Sequence, residues 1–136
     1  MGKGANRDDI LEGVRACVAA ALSVPPEDIR PESRLIDDLG ADSLDLLDIV
    51  FQLERRFTIK LALRDLEKQM KEDLGDTPVE VAGVYTPEAM ARIRRLMTEV
   101  PPDELPDDLR VADLPSRFRV STLTRWVEHA REVRHA

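Results

Sequence analysis

The chain has 136 residues, of which 43% are hydrophobic and 35% are charged, and its formal net charge at pH 7 is −7. This length suits one compact domain, the composition excludes an intrinsically disordered chain, and the acidic balance argues against nucleic acid as the main partner. There is no apolar run of membrane-spanning length and no signal-peptide core, and the single cysteine, Cys17, allows no internal disulfide, so we expect a cytoplasmic protein.

A first amphipathic helix is predicted from the N-cap Asn6 to about Leu22. Its apolar face includes Cys17, which we interpret as a small core residue rather than a nucleophile. Pro25 and Pro26 end this helix, because proline cannot continue it. Residues 23–42 are then predicted to form a long loop that is held against the core by four apolar side chains, Ile29, Leu35, Ile36 and Leu39.

A tight turn then leads into a second helix, with Gly40 as the breaker before it. Asp42 is the predicted N-cap and Ser43 the first helical residue, close to backbone N–H groups that have no partner within the helix. Asp45 and Asp48 lie in the first two turns, where the helix dipole favours negative charge.

The second helix carries more apolar surface than a core needs. One face contains Leu46, Ile49, Val50, Leu53 and Phe57, and a second stripe beside it contains Leu44, Leu47 and Phe51. Two interpretations of the second stripe stay open at this point. Either it is a surface for partner proteins, or a later part of the chain covers it.

Three more elements are predicted after Phe57. The apolar spacing indicates a helix from about Leu61 to Leu74, which Gly75 ends. Residues 78–85 favour an extended segment or a tiny hairpin, because they contain β-branched residues and a glycine. Thr86 as N-cap and the proline after it predict a helix that continues to about Glu99.

The last part of the chain begins with an acidic, proline-rich segment, residues 101–108, which is predicted to be the least ordered part. A final helix is predicted at 120–134, with Ser121 as its N-cap. Its apolar face contains Leu123, Trp126, Val127, Ala130 and Val133.

Residues 37–45, with the sequence DDLGADSLD, resemble the attachment motif of acyl carrier proteins, and the resemblance extends from about Ile10 to Phe57. It implies that Ser43 carries covalent 4'-phosphopantetheine, which a separate phosphopantetheinyl transferase takes from coenzyme A. Asp42 and Leu44 complete the implied cofactor-binding site. The cofactor thiol would hold an acyl chain as a thioester, and the protein itself would not be an enzyme.

The helix after the motif resembles the partner-recognition helix of that family. The implied partner-binding residues are Asp38, Asp45, Leu47, Asp48, Phe51 and Arg55. The implied partners are the transferase and acyl-loading, ketosynthase or acyltransferase enzymes, and we expect a monomer. Arg55 and Arg56 depart from the acidic pattern of typical members. This basic end either selects particular partners or is a solvated helix end that suits the dipole.

We therefore expect an all-α, acyl-carrier-like four-helix bundle that occupies residues 1–136 as one domain. Residues 58–119 would be an enlarged third-helix region with a very short extended segment near 79–85, and 120–134 the final helix. A competing alignment places the last helix of the family at 87–99 and makes 101–136 an appendage.

The expected function is an acyl carrier of a specialised lipid or secondary-metabolite pathway, such as fatty acid or polyketide biosynthesis. The alternative is a carrier fold that stays unmodified and serves as a protein–protein interaction module. A serine hydrolase is disfavoured, because Ser43 has no Gly-X-Ser-X-Gly elbow and the two histidines, His129 and His135, lie near the chain end. One cysteine and two distant histidines do not make a zinc site.

Overall fold

The computed structural model describes residues 7–61 and 63–135, so the predicted N-cap Asn6 lies outside the described residues. The helices are α1 (Arg7–Leu22), α2 (Ser43–Phe57), α3 (Leu63–Leu74), α4 (Pro87–Leu96) and α5 (Val120–His135). Two short antiparallel strands, β1 (Glu80–Val81) and β2 (Val84–Tyr85), pair with each other. The predominance of helix confirms the predicted all-α class, and the strands confirm the tiny hairpin near 79–85.

The chain divides into two compact units. The first, which we call the bundle unit, contains the described residues up to Leu61 together with those from Phe118 onward. The second, which we call the insert unit, is Ala62–Arg117.

The core of the bundle unit lies among α1, α2 and α5, which contact one another pairwise. α2 contributes Ile49 and Leu53, which are both fully buried, as the predicted core face requires. The other helices contribute buried residues at helical spacing, including Val14, Val18, Leu123 and Val127. Phe118 and Trp126 meet edge to face, with ring centroids 5.1 Å apart, an arrangement that aromatic pairs favour.

The long loop between α1 and α2 is held against α1. The Arg15 guanidinium on α1 donates to the carbonyl oxygens of Ile29 (3.0 Å) and Pro26 (2.8 Å). Ile29 and Leu35 are buried as predicted, while Ile36 and Leu39 are half-buried. The loop is therefore fixed by packing and by hydrogen bonds to its backbone.

The start of α5 pairs with this loop through the backbone. Val120 N–H donates to the Ser33 carbonyl oxygen (3.0 Å), and Ser121 N–H donates to that of Pro31 (2.8 Å). The prediction that Ser121 caps α5 is wrong, because the helix already begins at Val120. The loop carbonyls satisfy the N–H groups that a capping side chain would otherwise serve.

The insert unit contains α3, α4 and the hairpin. An ion pair of 2.7 Å joins Arg92 on α4 to Asp73 on α3. The hairpin turns through Ala82 (φ 54°) and Gly83 (φ 80°), the backbone that two-residue hairpin loops need. On the edge of β2 that faces away from β1, Tyr85 N–H donates a hydrogen bond of 2.9 Å to the carbonyl oxygen of Leu109.

Helix α4 ends at Leu96, earlier than the predicted Glu99. Met97 leaves the helical conformation (φ −114°, ψ 58°), and the turn that follows buries both Met97 and Val100. The side chains of both residues are therefore buried without a further turn of helix. This burial of apolar surface stabilises the turn that ends the helix.

The proline-rich segment 101–108 is folded rather than irregular. It contains a 3₁₀ turn at Pro102–Glu104, and Leu105 is fully buried. The Arg94 guanidinium donates to the Leu105 carbonyl oxygen (2.7 Å) and to the Asp107 carboxylate (2.8 Å). The prediction of low order was wrong, because the hydrophobic pattern of the sequence does not reveal that Arg94 of α4 binds this segment.

We expect Gly13→Ala to destabilise the protein. A Cβ at Gly13 on α1 would lie 2.5 Å from Phe57 Cζ and 2.9 Å from Arg56 Nε. In a free helix this change would stabilise by about 1 kcal/mol, but overpacking costs about 1–3 kcal/mol. Urea denaturation should show a net loss in the free energy of unfolding. The control is Gly13→Ala in a Phe57→Leu background, where the loss should shrink, and a more stable Gly13→Ala single variant would contradict the contact.

Candidate functional site

The candidate site begins at the turn before α2. Gly40 has φ +76°, a left-handed conformation that glycine adopts without the steric cost of a Cβ. Its N–H donates 3.0 Å to the Ile36 carbonyl oxygen, and the N–H of the buried Ala41 donates 2.9 Å to that of Leu35. These bonds bring the chain to Asp42 in the extended conformation of an N-cap.

A capping box starts α2, which confirms the N-cap prediction. Asp45 N–H donates 2.8 Å to Asp42 Oδ1, and Asp42 N–H donates 3.1 Å to Asp45 Oδ2. Two backbone donors that a helix start leaves unpaired are thus satisfied reciprocally. The first helical residue is Ser43, as predicted.

Ser43 is exposed, and its surroundings suit a covalently attached phosphodiester. Among the described residues, the N–H groups of Ser43 and Leu44 have no hydrogen-bond acceptor. An anion on the Ser43 hydroxyl would find these two donors and the positive end of the helix dipole. The site therefore fits a phosphate-linked group, and its exposure gives a modifying enzyme access.

The acidic residues around Ser43 do different things. Asp38 accepts 2.8 Å from the Arg34 backbone N–H, so it shapes the turn, and Asp37 lies 3.7 Å from the Arg34 guanidinium. Asp45 is committed to the capping box, while Asp48 accepts from the Gln52 amide (3.3 Å). All four side chains still present negative charge at this end of α2.

The second apolar stripe of α2 is exposed. Leu44 is 75% exposed, Leu47 50% and Phe51 51%, whereas Ile49 and Leu53 on the core face are 0% exposed. Helices α1 and α5, which pack against α2 in the bundle unit, leave this stripe open. Of the two interpretations that the sequence left open, the exposure favours a surface for partners.

The far end of α2 is basic. Arg55 and Arg56 are exposed in its last turn, and Thr58 ends the helix in the left-handed conformation (φ 54°). On α5, the Arg131 guanidinium lies 5.9 Å from the centroid of the Phe57 ring, a cation–π contact. The Arg-rich end thus follows the apolar stripe on the same helix.

Sequence reasoning missed a groove between α1 and α2. It has a volume of about 460 Å³ and is lined by Ala16, Cys17, Ala20, Gln52, Arg55 and Arg56. The spacing of the small residues at 16 and 20 was the available signal, but it also fits ordinary helix packing. Burial raises the pKa of the Cys17 thiol and nearby Arg56 partly lowers it, so the thiol is not activated as a nucleophile.

No set of three or more potential metal-ligating side chains comes together within the described residues. None of the helices there is long and apolar enough to cross a membrane.

Comparison with known proteins agrees with the geometry of the turn and α2. The sequence profile of a family described as "Phosphopantetheine attachment site" matches residues 12–75. The acyl carrier protein of Helicobacter hepaticus is 45% identical over 60 residues, which is 44% of this chain and 79% of that protein. The acyl carrier protein of Thermotoga maritima is 44% identical over 64 residues, which is 47% of this chain and 79% of that protein.

A third relative, the acyl carrier protein of Thermosynechococcus vestitus, is 43% identical over 63 residues, covering 46% of this chain and 78% of that protein. The chain belongs to the acyl carrier protein family. It is a carrier with a covalently attached 4'-phosphopantetheine group, and a separate transferase attaches that group. When attached, the group supplies a thiol that holds an acyl chain as a thioester.

The matched region ends at residue 75, within the insert unit, so it does not reach α5. It is nevertheless α5 that packs against α1 and α2. The structure thus identifies a bundle helix that lies outside the matched region.

We expect Asp42→Ala to weaken the start of α2. Loss of the Asp42 side chain leaves the Asp45 N–H without its acceptor, and losing such a cap costs about 1 kcal/mol. Urea denaturation should show this loss, while Asp42→Asn should keep most of the stability because an amide oxygen can still accept. Equal losses in both variants would indicate that the charge, rather than the capping bond, stabilises the helix.

Proposed function

We propose that Ser43 carries the 4'-phosphopantetheine group and that Asp42 and Leu44 complete the cofactor-binding site. The observation that carries this proposal is the exposed serine at the first position of a capped helix, inside the region that the family profile matches. Asp42 fixes where the helix begins, and the N–H groups of Ser43 and Leu44 are oriented toward the same end.

The partner-binding residues that we propose are Asp38, Asp45, Leu47, Asp48, Phe51 and Arg55. An exposed apolar stripe with acidic residues at one end suits enzymes whose docking face is apolar and basic. The apolar side chains supply affinity on contact, and the carboxylates steer the approach. The proposed partners are a phosphopantetheinyl transferase and acyl-loading, ketosynthase or acyltransferase enzymes.

We further propose a cytoplasmic, monomeric carrier of a specialised lipid or secondary-metabolite pathway. Arg55 and Arg56 support this assignment, because they would repel partners that have a uniformly basic docking face. The insert unit also supports it, since it adds a folded element between α2 and α5. In this proposal, residues 58–119 enlarge the third-helix region of one carrier domain.

We expect the protein to gain the mass of one phosphopantetheinyl group when it is incubated with coenzyme A and a promiscuous phosphopantetheinyl transferase. Intact-mass spectrometry should show the gain in wild type and in the control Ser121→Ala, but not in Ser43→Ala. The reason is that Ser43 presents an exposed hydroxyl, whereas Ser121 lies within α5. Absence of any gain in protein that circular dichroism shows to be folded would favour the interaction module.

We expect Phe51→Ala to slow modification without unfolding the protein. Phe51 is 51% exposed, so its truncation should change stability little, but loss of a contact at the centre of a docking surface costs about 1.4 kcal/mol or more. The kcat/KM of the transferase should then fall about tenfold. The matched control is Leu96→Ala, which truncates an apolar side chain of similar exposure (48%) on α4.

Equal rates for wild type and Phe51→Ala would exclude the stripe as a docking surface for this enzyme. Equal losses in Phe51→Ala and Leu96→Ala would point to a general effect of surface truncation instead.

A further inference from the structure

The groove between α1 and α2 has a small, partly apolar floor and a basic rim. Ala16 and Ala20 on α1 lie one turn apart, and Cys17 lies beside them. Their short side chains let another molecule approach the helix backbones closely. Gln52, Arg55 and Arg56 on α2 provide the polar rim.

Both guanidinium groups of this rim belong to exposed residues of α2. Within the described residues, neither Arg55 nor Arg56 forms a hydrogen bond or an ion pair, and both are exposed. Arg15, on the same α1, contrasts with them, because it pairs with Glu12 (2.9 Å) and anchors the loop. Two exposed positive charges beside a groove favour an anionic occupant.

The groove is continuous with the exposed apolar stripe. Leu44, Phe51 and Arg55 lie at positions i, i+7 and i+11, which share one line along a helix. At 1.5 Å per residue, Arg55 lies about 16 Å beyond Leu44 along the helix axis. Gln52, whose amide reaches back to Asp48 (3.3 Å), connects the acidic end with the rim.

We propose that this groove is a second docking subsite, which receives a carboxylate-bearing segment of an enzyme partner. This inference rests on the proposed carrier function and specifies the chemistry of the partner. The partner face is basic opposite the Ser43 end of α2, apolar in the middle, and acidic opposite Arg55 and Arg56. A partner with a uniformly basic face is repelled at the groove. Arg55 and Arg56 therefore favour partners with an acidic segment and disfavour partners without one.

The test uses the full chain, coenzyme A and a promiscuous transferase that modifies acidic carriers. The kcat/KM of the transferase for modification of Ser43 is measured with three carrier proteins as substrates. These are wild type, Arg55→Glu/Arg56→Glu, and the control Arg30→Glu/Arg95→Glu. The control changes the net charge equally at two exposed arginines outside the groove. The kcat/KM for the same three carrier proteins is then measured with transferase variants that carry a single Lys→Glu or Arg→Glu substitution in the docking face.

We expect Arg55→Glu/Arg56→Glu to raise kcat/KM with the parent transferase at least fivefold, and the control to change it less than twofold. With at least one acidic transferase variant, kcat/KM should instead be higher for wild type than for Arg55→Glu/Arg56→Glu. These preferences should shrink at high salt, because exposed charges are screened.

Three outcomes would overturn this inference and leave the proposed function unaffected. They are equal rates for wild type and Arg55→Glu/Arg56→Glu with the parent enzyme, an equal gain in the control, and the absence of any transferase variant that prefers wild type. Sedimentation velocity adds a fourth: self-association that disappears in Arg55→Glu/Arg56→Glu would make a second copy of this chain the occupant. Failure of every form to gain phosphopantetheine would instead overturn the proposed function, and the inference with it.

Discussion

The backbone of Leu35 connects the turn before Ser43, the proposed attachment site, to the core of the bundle unit. Its N–H donates 3.1 Å to the Phe118 carbonyl oxygen, and its own carbonyl oxygen accepts 2.9 Å from Ala41 N–H. Its side chain is fully buried. The turn that presents Ser43 is therefore held by residues just before α5. A serine that carries a prosthetic group, the role proposed for Ser43, must be exposed yet fixed in position, and a loop held at Leu35 satisfies both requirements.

The two faces of helix α2 differ in burial, and its two ends differ in charge. Ile49 and Leu53 supply the core, whereas Leu47 and Phe51 stay exposed, which agrees with the docking surface proposed for them. Negative charge gathers where the dipole and the capping box favour it, and positive charge gathers at the opposite terminus. Since the charges of both ends also agree with the dipole, the charges that we propose for partner selection also stabilise the helix.

Much of the site could be predicted because its determinants are local. Gly40 before Asp42, and Asp45 three residues after it, define a helix start by backbone chemistry alone. The N-cap and the first helical residue followed from this pattern. Ser121 is also a residue type that favours the N-cap, but this prediction was wrong, because distant loop carbonyls satisfy that helix start instead. Local rules fail where tertiary contacts supply the same hydrogen bonds.

The sequence by itself determined the family, the helical class, the position of Ser43 and the two stripes of α2, because motif, capping and periodicity act over a few residues. Only the tertiary structure decided that α5 packs on α1 and α2, that α4 ends at Leu96, and that a groove with a basic rim lies beside Cys17. These features depend on which distant surfaces meet. That choice follows from burial and hydrogen-bond satisfaction summed over the whole fold, which short-range patterns do not record.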